Sequence, residues 1–257
     1  MALPEIVLLH GGAQNAHTWD TVALALGRPL VAIDLPGHGH SDGGRNGSLD
    51  VDANAEDVAS VVRVLAPEAR AVVGMSLGGM TTLALAAHAP ELVRSVVLVD
   101  ITPGVTAEKS ASIHAFIAGP ESFDSFDDLL ARTIEFNPTR TESSLRRGIL
   151  HNAEQRGDGS WVWRYARFRA EEVAPPDVSD FATRWDAISS LSVPLMLVRG
   201  MLPQSVVDDA DEAELLRRRP DARVEHVEGA GHSVQGDRPL ELAALIADFV
   251  DLPGRAG

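Results

Sequence analysis

The feature that most constrains this chain is a serine held between glycines, GMSLGG at residues 74–79, which lies between two apolar stretches. The run AVV at 71–73 is typical of a buried strand, and residues 80–87 are typical of a buried helix. A glycine-flanked serine in this context predicts a sharp strand-to-helix turn whose serine hydroxyl stands above the sheet edge. Small residues are needed because the turn brings backbone segments close together. The pattern therefore predicts a nucleophile at Ser76 and an oxyanion-binding amide at Leu77.

Apolar runs recur along the whole chain with helical segments between them, at residues 6–9, 30–33, 71–73, 96–99, 194–198 and 222–227. Because these runs are continuous rather than alternating, they indicate strands that are covered on both faces. The segments between them have helical spacing, as Leu242, Ile246 and Phe249 illustrate by falling on one face. Strands that alternate with helices predict an α/β fold with a mostly parallel sheet of about six strands.

Residues 105–190 interrupt this alternation because they contain no comparable buried strand. They carry helical patterns near residues 126–136 and 142–150, together with three of the four tryptophans. We expect a mainly helical cap over the strand ends, inserted into an α/β domain made of residues 1–104 and 191–257. The alternative is a set of ordinary crossover helices.

The composition argues against several classes of protein. With 22 basic against 37 acidic residues and a net charge of −15, the chain lacks the basic face that a nucleic-acid binder needs. It contains no cysteine, which excludes disulfides, thiol nucleophiles and thiolate metal sites. No apolar run reaches the ~18 residues of a membrane span, and no charged-then-apolar leader is visible. We therefore expect a cytoplasmic protein that acts on a small molecule without inserting into a membrane.

A serine nucleophile needs a base, and the best candidate is the histidine of GAGHS at residues 229–233. This segment follows the last predicted strand, so a loop there can carry His232 back across the top of the sheet. The other histidines are poorer candidates: His226 lies inside a strand, His88 ends a helix, and His38 flanks a glycine turn.

The oxyanion hole needs a second backbone donor beside Leu77, and residues 9–13, LHGGA, offer one after the first strand. Their small side chains leave backbone N–H groups free to face a substrate oxygen. Gly12 is the first choice for this donor, and Ala13 is the alternative. The segment DLPGHGHS at 34–41 follows the second strand, and we interpret it as a structural turn near the pocket.

The ordered set HGG at 10–12, DLPGHGHS at 34–41, GMSLGG at 74–79 and GAGHS at 229–233 resembles the α/β-hydrolase superfamily. Two further segments, LVDITP at 98–103 and DGSWVWRY at 158–165, resemble bacterial capped serine esterases, including their actinobacterial members. The resemblance spans nearly all of the chain outside the cap. It implies an α/β-hydrolase fold and hydrolysis of carboxylic esters through an acyl-enzyme intermediate, without a cofactor and without a metal.

The chain departs from the commoner family pattern at the acid of the catalytic triad. That pattern has an aspartate shortly after the next-to-last strand, but residues 198–205, VRGMLPQS, contain no carboxylate. The capped esterases place their acid after the strand that follows the elbow, which implies Asp100 here. Asp208 and Asp209 are the alternatives, and both look like the acidic first turn of a helix. Ser205 is a candidate for supporting the triad as a hydrogen-bond partner.

We therefore expect Ser76, Asp100 and His232 to cleave esters of short-to-medium acyl chains. Among the cap aromatics, Phe116, Trp161 and Trp163 are candidates for lining the substrate pocket. A thioesterase, a lactonase or a carbon–carbon bond hydrolase would use the same triad. A hydrolase-like ligand-binding sensor with little turnover is the alternative from a different class.

The start of the sheet is the second departure, because the superfamily has a hairpin before the strand that ends in HGG. Here that strand begins near residue 5, so the hairpin is missing from the sequence. The strand at 30–33 would then have unpaired backbone groups along one side. We expect either a homodimer that covers this edge or two further strands encoded upstream.

Overall fold

The computed structural model describes residues 2–43, 50–165 and 178–251. Its centre is a parallel sheet of six strands, in the order β2-β1-β3-β4-β8-β9. The strands are β1 (Ile6–Leu9), β2 (Leu30–Ile33), β3 (Ala71–Met75), β4 (Val96–Val99), β8 (Leu195–Gly200) and β9 (Arg223–Val227). All five neighbouring pairs run parallel. The six-stranded parallel sheet predicted from the apolar runs is confirmed.

Ten α-helices lie within the described residues. They are α1 (Asp20–Leu26), α2 (Val51–Leu65), α3 (Leu77–His88), α4 (Ala111–Ile117), α5 (Phe126–Phe136), α6 (Glu142–Asn152), α7 (Trp185–Ser190), α8 (Asp209–Arg218), α9 (Val234–Asp237) and α10 (Pro239–Asp251). Three 3-10 helices accompany them, at Ala16–Trp19, Pro90–Leu92 and Val178–Arg184. No helix among these is long and apolar enough to cross a bilayer.

Both faces of the sheet are covered, and each strand contributes alternate side chains to each face. Val7 and Leu9 of β1 belong to a core shared with α2, α3 and α8, while Ile6 and Leu8 belong to a second core shared with α1 and α10. These four side chains are fully buried. Burial on both sides explains why the strands are continuous apolar runs, and it fixes the sheet edge at which the loops after each strand meet.

The cap contains a small sheet that the sequence analysis did not predict. Three short strands, β5 (Ser122–Phe123), β6 (Ala153–Gln155) and β7 (Trp161–Trp163), form an antiparallel sheet in the order β5-β7-β6. They pack with α5 and α6 around a separate apolar cluster. The cap remains mainly helical, with α4, α5 and α6, and the aromatic WVW segment adds this sheet because it pairs as a strand between two partners.

The helix α7 also differs from its expected place. The cap predicted from the sequence includes this helix, but its buried residues Trp185 and Ile188 pack in the main core with α3 and α8. This helix therefore packs with the sheet domain, so the predicted cap boundary at residue 190 lies too far along the chain.

The strand β2 forms one edge of the main sheet, and within the described residues it pairs only with β1. Three of its four residues are partly exposed. The edge thus has the open side that the sequence analysis expected, and its pairing with a second chain stays a prediction.

Candidate active site

Ser76 lies at the turn between β3 and α3 in a strained backbone conformation. Its φ of 51° and ψ of −119° fall in a region that residues with side chains rarely adopt. The turn is this sharp because glycines allow it: a side-chain carbon on Gly74 would collide with the carbonyl of Gly78, and one on Gly78 with that of Leu9. The serine therefore stands at the carboxyl edge of the sheet at the N-terminus of α3.

Asp100 and His232 are joined by a hydrogen bond at the same edge of the sheet. Nδ1 of His232 lies 2.9 Å from Oδ2 of Asp100, whose side chain is fully buried. Asp100 directly follows β4, which neighbours β3 in the sheet, and His232 lies in the loop after β9. The carboxylate therefore holds Nδ1 of the ring as a donor, which leaves Nε2 to face the cavity that Ser76 also lines.

The Asp100 carboxylate is fixed by three further donors. The backbone N–H of Gly200 donates to Oδ1 at 2.9 Å, the N–H of Val206 donates to Oδ2 at 3.1 Å, and the hydroxyl of Ser205 donates to Oδ1 at 2.6 Å. A buried carboxylate costs much less free energy when hydrogen bonds satisfy its oxygens. Ser205 thus lies where a supporting partner of the triad is expected.

The two alternative acids lie elsewhere. Asp208 is the N-cap of α8, where its side chain accepts from the N–H of Asp211, and it also pairs with Lys109. Asp209 is 96 % exposed and pairs with Arg199. Neither carboxylate contacts His232, so the structure favours Asp100 as the acid.

The loop after β1 places two backbone donors near Ser76. Gly12 and Leu77 both line a small cavity beside Ser76, and the described part of the chain offers no acceptor for either N–H group. The N–H of Ala13, the alternative donor, is occupied because it donates to Nε2 of His38 at 3.2 Å. The geometry therefore favours Gly12 with Leu77 as the pair that faces a substrate oxygen.

Two buried histidines hold this loop in place, and the sequence analysis did not assign them this role. Nδ1 of His10 lies 2.8 Å from the carbonyl of Gly11, and its Nε2 accepts from the N–H of Leu35. His38 contacts the Pro36 carbonyl through Nδ1 in the same way and accepts from Ala13 through Nε2. Burial lowers the pKa of His10 to about 3 and also lowers that of His38, so both rings are neutral at pH 7.

Backbone strain marks the same site. Within the described ranges, three residues other than glycine have a positive φ: Ala13 at 60°, Ser76 at 51° and Asp100 at 48°. Ser76 and Asp100 directly follow β3 and β4 at the carboxyl edge of the sheet, and Ala13 lies in the loop after β1. Strain of this kind persists only where the surrounding structure holds it, and it concentrates at functional sites.

The cap is tied directly to the loop that carries Gly12. The side-chain amide of Asn152, at the end of α6, donates to the carbonyl of Ala13 at 2.7 Å. A second hydrogen bond runs in the opposite direction, from Nδ2 of Asn15 in the loop after β1 to the carbonyl of His151 at 2.9 Å. These two hydrogen bonds couple the position of α6 to the conformation of the loop after β1, called the oxyanion loop below.

Two cavities meet at Ser76 and His232. The larger one, about 750 Å3, runs between the sheet edge and the cap. The smaller one, about 90 Å3, is lined mainly by apolar side chains, including Met80, Ile101 and Val105. A substrate with two arms on either side of a scissile bond would fit this arrangement.

The cap aromatics divide between these cavities and the interior of the cap. Phe116 and Trp163 line the larger cavity and meet edge to face, with ring centroids 5.6 Å apart. Trp161 does not line either cavity, and its expected pocket role is corrected. Its ring packs against Phe126, with centroids 5.2 Å apart, and belongs to the apolar cluster that β5, β6 and β7 form with α5 and α6 inside the cap.

One group of side chains within the described residues has the composition of a metal site. The ligating atoms of His17, Asp20 and His151 all lie within 4.8 Å of one another. The two imidazole rings are stacked, however, with centroids 4.0 Å apart and an interplanar angle of 17°. Ring nitrogens bind metals in the ring plane, so these stacked rings do not direct their lone pairs at one point. We assign no metal to this group.

Comparisons with known proteins agree with the geometry. The family model of the alpha/beta hydrolase fold matches residues 4–239. Esterase Rv0045c of Mycobacterium tuberculosis is 46 % identical over 256 residues, which cover 96 % of this chain and 83 % of that protein. A solved structure of Rv0045c has a TM-score of 0.85 at 45 % identity and covers 98 % of this chain and 87 % of its own.

A second relative is the 2-(acetamidomethylene)succinate hydrolase of Mesorhizobium japonicum, 29 % identical over 251 residues that cover 96 % of this chain and 88 % of that protein. The family model spans the sheet, the elbow, the cap and the loop of His232. The chain belongs to the α/β-hydrolase family.

Proposed function

We propose that this protein is a serine esterase in which Ser76, His232 and Asp100 form the catalytic triad. The observation that carries the proposal is the hydrogen bond between buried Asp100 and His232. It lies at the sheet edge where Ser76 follows β3. The similarity to the M. tuberculosis esterase supports it. No hydrogen bond joins the Ser76 hydroxyl to His232 among the described residues, and such bonds often form only when substrate binds.

In the first half of the reaction, the Ser76 oxygen attacks the ester carbonyl while Nε2 of His232 takes the hydroxyl proton. The carbonyl oxygen becomes an oxyanion, which accepts hydrogen bonds from the N–H groups of Gly12 and Leu77. Each such donor contributes roughly 3 kcal/mol in comparable sites. The tetrahedral intermediate then collapses, the bond to the alcohol breaks, and His232 gives its proton to the leaving alkoxide.

In the second half, water attacks the acyl group on Ser76. His232 takes a proton from the water, and the same amides hold the second oxyanion. When this intermediate collapses, the acid leaves and the proton returns to the Ser76 oxygen. Asp100 keeps Nδ1 of His232 protonated throughout and stabilises the positive ring that forms in each half.

The cavities support substrates of short-to-medium acyl length. The apolar cavity of about 90 Å3 beside Ser76 suits a small acyl group, and the cavity of about 750 Å3 holds the remainder of the molecule. Each additional CH2 group gains about 0.8 kcal/mol only while apolar room remains. The value of kcat/KM should therefore peak within the series of p-nitrophenyl esters and then fall.

The test of the proposed function combines a label and a substrate panel. A fluorophosphonate probe should modify wild-type protein but not the Ser76→Ala variant, and p-nitrophenyl butyrate should be hydrolysed only by the wild type. Labelling without turnover of any ester would favour the ligand-binding sensor. If the protein turns over a thioester, a lactone or a substrate with a cleavable carbon–carbon bond faster than every ester, the same triad would be assigned to that reaction. The cytoplasmic location and the small-molecule partner stay predictions from the sequence.

A further inference from the structure

The cap end of the larger cavity holds an arginine that forms no ion pair with any residue in the described part of the chain. Arg140 lies between α5 and α6 and lines the cavity. Only one of the five N–H donors of its guanidinium has an acceptor among the described residues, since Nη2 donates to Ser144 Oγ at 2.8 Å. Its Nε is buried, and it has no hydrogen-bond partner in the ranges that the structure describes.

The acidic residues of the cavity do not form a direct ion pair with this arginine. Asp237 is the nearest, but its two oxygens already accept from the hydroxyl of Thr139 at 2.8 Å and from the N–H of Gly231 at 2.9 Å. No ion pair joins it to Arg140 in the described ranges. Glu108 also lines the cavity, and it is exposed at the surface.

A second arginine strengthens the positive potential. Arg147, one helical turn after Ser144 on α6, lines the same cavity and donates to the hydroxyl of Thr21 at 3.0 Å. Burial lowers the pKa of Arg140, Asp237 raises it and Arg147 lowers it. An arginine stays charged in proteins regardless, so the buried guanidinium carries a cost that an anion would offset.

The position of Arg140 connects this charge to the reaction centre. A side-chain carbon on Gly236 would come within 3.0 Å of the guanidinium carbon, so the charged group lies against α9. The helix α9 begins two residues after His232. In a chain of net charge −15, a cation without a direct ion pair among the described residues is informative in this place, because the protein as a whole repels anions.

Building on the proposed function, we propose that Arg140 binds a carboxylate of the substrate, so that the preferred esters carry a second, negatively charged end. The planar fork of arginine suits a carboxylate, and Ser144 and Arg147 flank it. The substrate class is the half-ester of a dicarboxylic acid, with its ester at Ser76 and its free carboxylate toward the cap.

The experiment compares monomethyl esters of succinic, glutaric and adipic acid with methyl esters of butyric, pentanoic and hexanoic acid. The measured quantity is the ratio of kcat/KM for the charged ester to that for the neutral ester of similar length. A charge-assisted hydrogen bond predicts a wild-type ratio above one for at least one length, and a fall of about 10- to 100-fold in that ratio for Arg140→Gln. Arg147→Gln should lower the ratio by about two- to fivefold.

Arg146→Gln is the matched control. Arg146 lies on α6 beside Arg147, but it is exposed, pairs with Glu142 at 2.8 Å and does not line the cavity. This variant should keep the wild-type ratio. A wild-type ratio at or below one for all three lengths overturns the inference, whether or not Arg140→Gln folds. A ratio unchanged by Arg140→Gln in a protein with a wild-type melting curve also overturns it.

The two proposals fail in distinguishable ways. Hydrolysis of the neutral esters without any preference for the charged ones would leave the esterase function intact and remove the role of Arg140. If the wild-type protein hydrolyses none of these esters, charged or neutral, the proposed function itself is contradicted.

Discussion

The hydroxyl of Ser205 donates a hydrogen bond to Oδ1 of Asp100 at 2.6 Å, while the other oxygen, Oδ2, faces Nδ1 of His232. The serine thus occupies the segment after β8 in which the commoner family pattern has its aspartate. This segment supplies the neutral hydroxyl of Ser205 instead, and the carboxylate is that of Asp100, which follows β4. In the proposed triad the acid follows β4, and its supporting hydroxyl comes from the segment after the neighbouring strand β8.

Ser205→Ala should weaken the site without abolishing it. The variant removes one of the four donors to a buried carboxylate, and hydrogen bonds to charged groups contribute about 1.5–3 kcal/mol. We expect the free energy of unfolding to fall by this amount in urea titrations, with a loss of kcat much smaller than that of Asp100→Asn. An activity loss as large as that of Asp100→Asn would mean that Ser205 has a more direct role.

Asp100→Asn should lower kcat by up to about 10⁴-fold, because an amide favours the wrong tautomer of His232. Asp208→Asn is the matched control, since Asp208 caps α8 and does not contact the histidine. We expect that control to cost at most about 0.5–2 kcal/mol of stability with nearly unchanged kcat. If Asp208→Asn proves to be the variant that loses activity, the acid has been assigned to the wrong strand.

Ser76→Gly should be more stable than Ser76→Ala by about 1 kcal/mol. Both variants lack the hydroxyl and both should lose about 10⁴-fold or more in kcat. They differ in the backbone, because φ of 51° with ψ of −119° is accessible to glycine and strained for alanine. Thermal melting of the two inactive proteins measures the difference, and equal midpoints would show that the elbow stores no such strain.

The stability of the protein should fall as the pH decreases from about 6.5 to about 3. Burial lowers the pKa of His10 from 6.5 to about 3, so in this range the unfolded chain binds a proton that the folded chain does not. Acidification therefore favours the unfolded state, by about 1.4 kcal/mol for each pH unit from this one histidine.

The non-titrating variant His10→Gln separates this effect from the titration of carboxylates. We expect its free energy of unfolding, measured in urea at several pH values, to depend less steeply on pH than that of the wild type. Equal slopes for the two proteins would show that His10 titrates normally in the folded state.

Residues whose role depends on local turn chemistry were predictable from the sequence. The elbow around Ser76 and the loop of His232 are short glycine-rich segments after strands, and their geometry follows from what glycine permits. The assignment of Asp100 as the acid depended on the resemblance to capped esterases, because an aspartate at the end of an apolar run has several structural uses.

Residues whose role depends on distant partners were not predictable in this way. His10 and His38 hold the oxyanion loop only because β1 and β2 are neighbours in the sheet. The direction of Trp161 depends on how β7 pairs with β5 and β6, which are separated from it by loops and helices. Periodicity within a segment contains no information about either pairing.

The bond from Asn152 to the carbonyl of Ala13 has a consequence for how turnover is controlled. An outward movement of α6 would strain or break this bond and would disturb the loop whose Gly12 amide we assign to the oxyanion hole. Entry of a bulky substrate past α6 would therefore disturb the loop geometry that the proposed reaction needs, and the reaction would be fastest after the contact has formed again. Changes at this contact should therefore move kcat and KM together, as they do in enzymes whose gate is part of the catalytic apparatus.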